Sequence, residues 1–197
     1  MPATGYTLFD TAIGPCGIAW GPRGIIGIQL PERHARATRE RLQRRYPDVP
    51  EASPPPEVQR AIDDIIALSR GESRELSNVV LDMGGIPAFR QRLYAALRNV
   101  PAGSTITYGD LAMRIGDGCT ARDIGEAMGK NPFPIIVPCH RVLAANGRMG
   151  GFSAPGGVAT KLRMLNIEQA RTGNMPTLFD SLPLGLPPER RRAPGQT

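Results

Sequence analysis

Cys139, His140 and Arg141 occupy consecutive positions after the run Asn131-Pro132-Phe133-Pro134-Ile135-Ile136-Val137-Pro138. A thiol, an imidazole and a guanidinium side by side point to nucleophilic chemistry. The thiolate is the reactive form, and a neighbouring imidazole or cation favours it. The chain has only two histidines, His34 and His140, which makes His140 the one candidate base of neutral pH for this thiol. Glu168 is the candidate orienter. It follows Val158, Leu162 and Leu165 on what reads as the buried stripe of a helix over 157–169, where a carboxylate needs a partner or a shifted pKa. A second thiol, Cys16 in Pro15-Cys16-Gly17, reads as a small buried hydrophobe at a strand start.

These side chains have to be positioned. Residues 135–137 read as a short buried strand, and Pro138, which has no N–H to donate, forces a turn at its exit. Upstream, Thr107-Tyr108-Gly109-Asp110 and Thr120-Ala121-Arg122-Asp123 each have the form of a capping box with Asp at its fourth position. They open two short helices joined by Gly116-Asp117-Gly118, which is helix-turn-helix spacing. On the second helix Ala121, Gly125 and Gly129 lie four apart beside Arg122. Glycine inside a helix costs about 1 kcal/mol relative to alanine, so this smooth strip implies close approach, either of another helix or of nucleic acid. A smooth strip suits a narrow groove better than the reading of base edges.

The remaining elements follow from punctuation and period. Residues 6–9, 17–20 and 25–30 read as antiparallel strands separated by Gly14-Pro15 and Gly21-Pro22-Arg23-Gly24. A helix over 32–46 is rich in arginine; a second, over 57–69, carries Val58, Ile62, Ile65 and Ile66 at helical spacing. Residues 78–82 read as a further strand rejoining the sheet, and Pro87 opens a helix with Phe89, Leu93, Ala96 and Leu97 on one stripe. The division that results is an N-terminal α/β unit over 1–84 serving as scaffold, a helical unit with the helix-turn-helix over 85–170, and a proline-rich, disordered tail over 171–197. The class is α/β in the α+β sense.

Composition narrows the function. Three cysteines without a CxxC pair, and two histidines, argue against a disulfide framework and a zinc site. No apolar run of about 18 residues reads as a membrane span, and no targeting segment is expected, so the expectation is a cytoplasmic protein. The net charge of +6, mostly arginine, suits a polyanion partner.

At these residues the chain resembles the O6-alkylguanine-DNA alkyltransferases, the methylated-DNA–protein-cysteine methyltransferases. The match rests on Asn131-Pro132, on the segment Ile135-Ile136-Val137-Pro138-Cys139-His140-Arg141-Val142 and on Thr107-Tyr108-Gly109. It continues through Ala121-Arg122 with Gly125, and through Lys161 followed by Glu168. The resemblance implies a ribonuclease-H-like N-terminal domain and a winged-helix-like C-terminal one. It implies direct-reversal repair, in which Cys139 takes the alkyl group of O6-alkylguanine, with O4-alkylthymine a further candidate, once and irreversibly. His140 would act as base through a water, with Glu168 orienting it. Tyr108 would rotate the 3′ phosphate and protonate guanine N3, and Asn131 would brace the cysteine turn. Arg122 would enter the base stack from the minor groove, with Ala121, Gly125 and Thr107 alongside; Val142, Phe152, Ser153 and Pro134 would wall the base pocket. Flipping is a physical requirement, since O6 lies inside the duplex. The implied partner is double-stranded DNA bearing the lesion, met by a monomer in the cytoplasm, at the nucleoid when bound, with no cofactor, metal or membrane. Phe152 stands where many relatives carry tyrosine, the loop from Phe152 to Lys161 is longer than in some members, and Gly21 and Ile26 stand at the positions of the zinc ligands some members have. Three other classes compete: a binder of alkylated guanine without transfer, a damage-signalling regulator, and a cysteine hydrolase. The presence of Cys139, the chain's length and the lack of an oxyanion-hole pattern weigh against them in turn.

Overall fold

The computed structural model describes residues 4–170, so the expected tail lies outside the described residues. Strands β1 (Gly5–Thr11), β2 (Gly14–Gly21) and β3 (Gly24–Gln29) form an antiparallel sheet in that order. Alternation along β2 divides the packing. Cys16, Ile18 and Trp20 belong to the same core as Val58, Ile62 and Ile65, whereas Ala19 joins Tyr6 and Leu42. Helix α1 (Ala35–Arg45) therefore covers one face and α2 (Pro56–Ser69) the other. Helix α1 starts later than the sequence suggests. Thr38 Oγ1 accepts from the Glu32 backbone N–H at 3.0 Å, and His34 Nδ1 caps the helix by accepting from the Ala37 N–H at 3.1 Å.

Residues 78–82 do not form the expected strand. A single parallel bridge joins Leu81 to Ile25, and the side chain of Arg98 explains why the pairing stops there. Its Nη2 donates to the carbonyls of Leu76, Ser77 and Val79 at 2.8, 2.6 and 2.7 Å, so these carbonyls are occupied by a guanidinium and not by a ladder.

Helix α3 (Ala88–Arg98) leads to β4 (Ile106–Thr107), α4 (Tyr108–Ile115) and α5 (Ala121–Gly129). Thr107 caps α4 by accepting from the Asp110 N–H, and Thr120 and Asp123 complete a reciprocal capping box on α5. Between them Gly116, Asp117 and Gly118 all have positive φ, and Asp117 is held by Arg92. Strand β5 (Val142–Leu143) pairs in parallel with β4, which fixes the start of α4 beside the end of the cysteine turn. Helix α6 (Gly157–Ile167) closes the described chain. One cluster of buried side chains runs through both halves, joining Ile18 and Ile65 to Leu93, Leu111, Ile136 and Met164. The Ile28 N–H donates to the Pro132 carbonyl at 2.8 Å, and Arg163 donates to the Ile13 carbonyl at 3.3 Å. The N-terminal sheet and the turn between its first two strands thus bond directly to the C-terminal half. No helix among the described residues is long and apolar enough to cross a membrane.

Candidate active site

The segment expected to be a strand is a turn, although its side chains are buried as expected. Pro132, Pro134 and Pro138 remove donors that a ladder would need. The Asn131 side chain closes the backbone on itself. Its Oδ1 accepts from the Phe133 N–H and its Nδ2 donates to the Val137 carbonyl, both at 2.9 Å. The Val137 N–H donates to the Phe133 carbonyl at 2.8 Å, and Ile135 takes φ +77°. A β-branched residue in the left-handed region is strained, at a cost on the order of 1–3 kcal/mol that the surrounding contacts must offset. The turn delivers Cys139, His140 and Arg141 as one turn of 3-10 helix, all buried.

Behind the thiol lies a buried ionic cluster. Glu168 caps the end of α6, and its Oε1 is 2.9 Å from His140 Nε2 and 2.8 Å from Arg141 Nη2. Arg141 Nε donates to Oε2 at 2.9 Å. Burial works to raise the Glu168 pKa, but hydrogen bonds from His140 and Arg141, with the Arg141 charge, overcome it and hold the carboxyl at about 2. An ionised carboxylate only accepts, so His140 carries its proton on Nε2. Burial, ahead of the opposing pull of Glu168, keeps the His140 pKa below its ordinary value and the ring neutral. Nδ1 is then the lone-pair nitrogen, and it has no hydrogen-bond partner among the described residues. Burial raises the Cys139 thiol; the Asn131 side chain, the Lys161 charge and the backbone N–H groups of residues 139 and 140 oppose it.

Lys161 is the main surprise. The stripe of α6 does not include Val158, which is exposed; the buried positions are Lys161, Met164 and Leu165. The fully buried Lys161 ammonium donates to the carbonyls of Val142 and Met149 at 2.5 Å each and lies 5.9 Å from the centroid of the Tyr108 ring. Burial lowers its pKa to about 8.

In front of the thiol opens a cavity of about 800 Å3. Cys139, Tyr108 and Thr107 line it, with Ala121, Arg122 and Gly125 of α5 on one side and Phe152 and Ser153 on the other. The glycine strip faces this space. A Cβ at Gly129 would meet nothing within 4 Å, and one at Gly125 would meet only the Tyr108 ring, at 3.9 Å. Of the two readings of the strip, helix-on-helix packing is excluded among the described residues. At Gly150 an added Cβ would approach the Tyr108 ring to 3.3 Å. His140 and Glu168 stand behind Cys139, outside the cavity wall, and Asn131 lines not this cavity but a cleft beside it. Val142 is also outside it, with its carbonyl taken by Lys161, and Pro134 borders a neighbouring cleft. Sequence reasoning took Arg141 only as a cation near the thiol and gave Lys161 no role. Their signals were the heptad spacing of Lys161 to Glu168 and the adjacency of Arg141 to His140. Among the described residues no group of three His, Cys, Asp or Glu side chains could hold a metal ion.

Residues 88–170 match the family model described as the 6-O-methylguanine DNA methyltransferase, DNA binding domain. A methylated-DNA–protein-cysteine methyltransferase of Mycobacterium bovis is 35% identical over 175 residues, covering 89% of this chain and 98% of that protein. The chain belongs to the methylated-DNA–protein-cysteine methyltransferases. Their counterpart from Methanothermobacter thermautotrophicus is 33% identical, over 77% of this chain and 78% of its own. Among solved structures, Mycobacterium tuberculosis OGT in complex with DNA superposes with a TM-score of 0.69 at 32% identity, over 87% of this chain and 96% of that one. A methyltransferase of this family needs a reachable thiol, and Cys139 is the one thiol at the cavity.

Proposed function

We propose that this protein repairs DNA by direct reversal, moving an alkyl group from O6 of guanine in a duplex irreversibly to Cys139. The observation that carries the reading is that Cys139 lines the cavity while the pair of neutral His140 and ionised Glu168 stands directly behind it. Arg122, exposed on α5 at the cavity rim, enters the base stack from the minor groove and takes the place of the flipped guanine. Tyr108 rotates the 3′ phosphate, and the bare strip of Ala121 and Gly125 lets the backbone of α5 come close to the DNA. The base settles against Phe152 and Ser153.

The thiol proton passes to His140 Nδ1 through a water, and Glu168 stabilises the imidazolium that forms. Sγ attacks the alkyl carbon, the C–S bond forms and the C–O6 bond breaks. Its electron pair leaves with guanine, which Tyr108 protonates at N3. The thioether has no route back, so each molecule acts once. The same reading makes residues 1–84 the scaffold and 85–170 the chemical unit. It needs no residue from a second chain, because Cys139, His140, Glu168 and Arg122 all come from one, and it takes the protein to act as a monomer.

The test is intact-protein mass after incubation with a duplex bearing O6-methylguanine. A gain of one methyl on the wild type, absent in Cys139→Ala, is expected; DNA binding without a mass gain overturns the reading.

A further inference from the structure

Beside the main cavity runs a second cleft of about 160 Å3. Met128, Gly129, Cys139, Phe152 and Ser153 border both spaces, so the thiol residue stands where the two meet. Asn131, Pro134 and, from α1 in the N-terminal half, Arg41 and Arg45 border the cleft but not the main cavity. These arginines are one helical turn apart on a common face. Among the described residues neither is in an ion pair, whereas Arg36 and Arg39 on the same helix are paired with Glu40 and Glu51. The Arg45 guanidinium lies 5.3 Å from the centroid of the Tyr46 ring. Gln29, also at the cleft, donates to the Leu30 carbonyl at 2.9 Å, and no carboxylate borders the space.

We propose that this cleft receives the far end of the group being transferred, and that Arg41 and Arg45 favour O6 adducts ending in an anion, of the carboxyalkyl class. The proposal rests on the alkyl-transfer reading. In-line attack places the transferred carbon between Sγ and O6, so any further atoms on that carbon must extend sideways from the axis. A methyl group needs no room there; a chain of several atoms does, and Cys139 borders the cleft. Two cations without an opposing carboxylate set a positive potential in it. The chemistry is unchanged. The C–S bond forms, the C–O6 bond breaks with its pair going to guanine, and the carboxylate stays intact on the S-carboxyalkyl product.

The experiment compares three duplexes, carrying O6-methylguanine, an O6-carboxypropyl adduct, and its neutral isostere with isopropyl in place of the carboxylate. The second-order rate of mass gain at Cys139 is followed for each. In the wild type the anionic adduct should react faster than its isostere, with the ratio falling as salt rises. The double variant Arg41→Ala/Arg45→Ala should reduce that ratio about tenfold, leaving the methyl adduct at its wild-type rate, which also reports intact folding. Arg41→Lys/Arg45→Lys should keep most of the ratio. A ratio unchanged by the alanines overturns the proposal. So does an equal fall on all three duplexes, which would make the arginines contacts to DNA phosphate. A wild type that leaves even the methyl adduct untouched overturns the transfer reading itself.

Discussion

Cys16 and Cys139 are both buried thiols, and burial pushes both above the ordinary thiol range. Around Cys16 little opposes that push. Thr11 Oγ1 stands 3.7 Å away, the charge of Asp10 raises the pKa further, and the thiol reaches about 12. Around Cys139, Asn131, Lys161 and two backbone N–H groups act in the opposite direction, and a neutral imidazole is its chain neighbour. Cys16 faces the packed core beneath α2, whereas Cys139 lines an open cavity. Burial therefore does not separate an inert thiol from a reactive one. Access and the groups that favour the thiolate do.

The sharpest way to break the contrast is to remove each sulfur in turn. Cys139→Ala should abolish alkyl uptake in the intact-mass assay while shifting the urea midpoint little, since its side chain borders a cavity. Cys16→Ala should leave the uptake rate at its wild-type value and destabilise the fold by about 1 kcal/mol, the cost of a small void in a packed core. Loss of uptake in Cys16→Ala would place both thiols in one functional unit and end the distinction.

Glu168 belongs only to the Cys139 side, and its removal should give the next largest effect. Glu168→Gln leaves the Arg141 guanidinium buried without its counterion, which should cost about 3 kcal/mol in urea unfolding. The wild type should show the same interaction through pH. The folded pKa of about 2 lies below the 4.5 of a free glutamate, so the unfolded chain binds more protons between those values. The stabilisation is complete above about pH 4.5 and is lost as pH falls towards 2. In Glu168→Gln that part of the acid slope should disappear.

Much of this contrast was legible in the residue order. The Cys139-His140-Arg141 triplet marked the reactive thiol, the two Thr-x-x-Asp caps marked α4 and α5, and Pro15-Cys16-Gly17 marked a strand start. The misreadings have a common physical origin. Residues 135–137 look like a strand because they are apolar and β-branched, but the Asn131 side chain and three prolines close them into a turn around a left-handed Ile135. Val158 looks buried by period, yet the inner face of α6 carries Lys161, because carbonyls from two separate segments, at Val142 and Met149, converge on its ammonium. Residues 78–82 have strand composition, yet Arg98 takes the carbonyls of Val79 and of Leu76 and Ser77 just before them. In each case a polar side chain, local for Asn131 and distant in sequence for Lys161 and Arg98, satisfied backbone groups that local pattern assigns to a ladder or to solvent.

Lys161 sharpens the comparison by setting stability against chemistry. Its pKa of about 8, against 10.5 for a free lysine, means that charging it inside the fold is costly. The unfolded chain binds more protons between those values, so wild-type stability should rise as pH climbs from about 8 to 10.5. Lys161→Met should remove that rise. It should offset the cost of the buried charge against the loss of the donor to the Val142 and Met149 carbonyls, so that neutral-pH stability falls by no more than about 3 kcal/mol. It should also transfer alkyl groups about tenfold more slowly, since the charge opposing the burial of Cys139 is gone. Urea titrations across pH together with mass-gain rates measure both effects. A variant that lost stability but kept its rate would reduce Lys161 to a tie between Val142 and Met149.

The smallest effect concerns access, the last difference between the two thiols. A base reaches Cys139 only after leaving the duplex, which costs a few kcal/mol that an inserted side chain offsets in part. Arg122 is exposed at the cavity rim and far from any role in the buried cluster. Arg122→Ala should therefore slow the repair of duplex O6-methylguanine several-fold, by less than the loss expected for Lys161→Met, while the reaction with free O6-benzylguanine stays close to the wild-type rate. The free base needs no flipping, so the ratio of the two rates isolates the step. Equal losses on both substrates would mean that Arg122 shapes the pocket instead of opening the DNA, and the contrast between Cys16 and Cys139 would then rest on the thiol's neighbours alone.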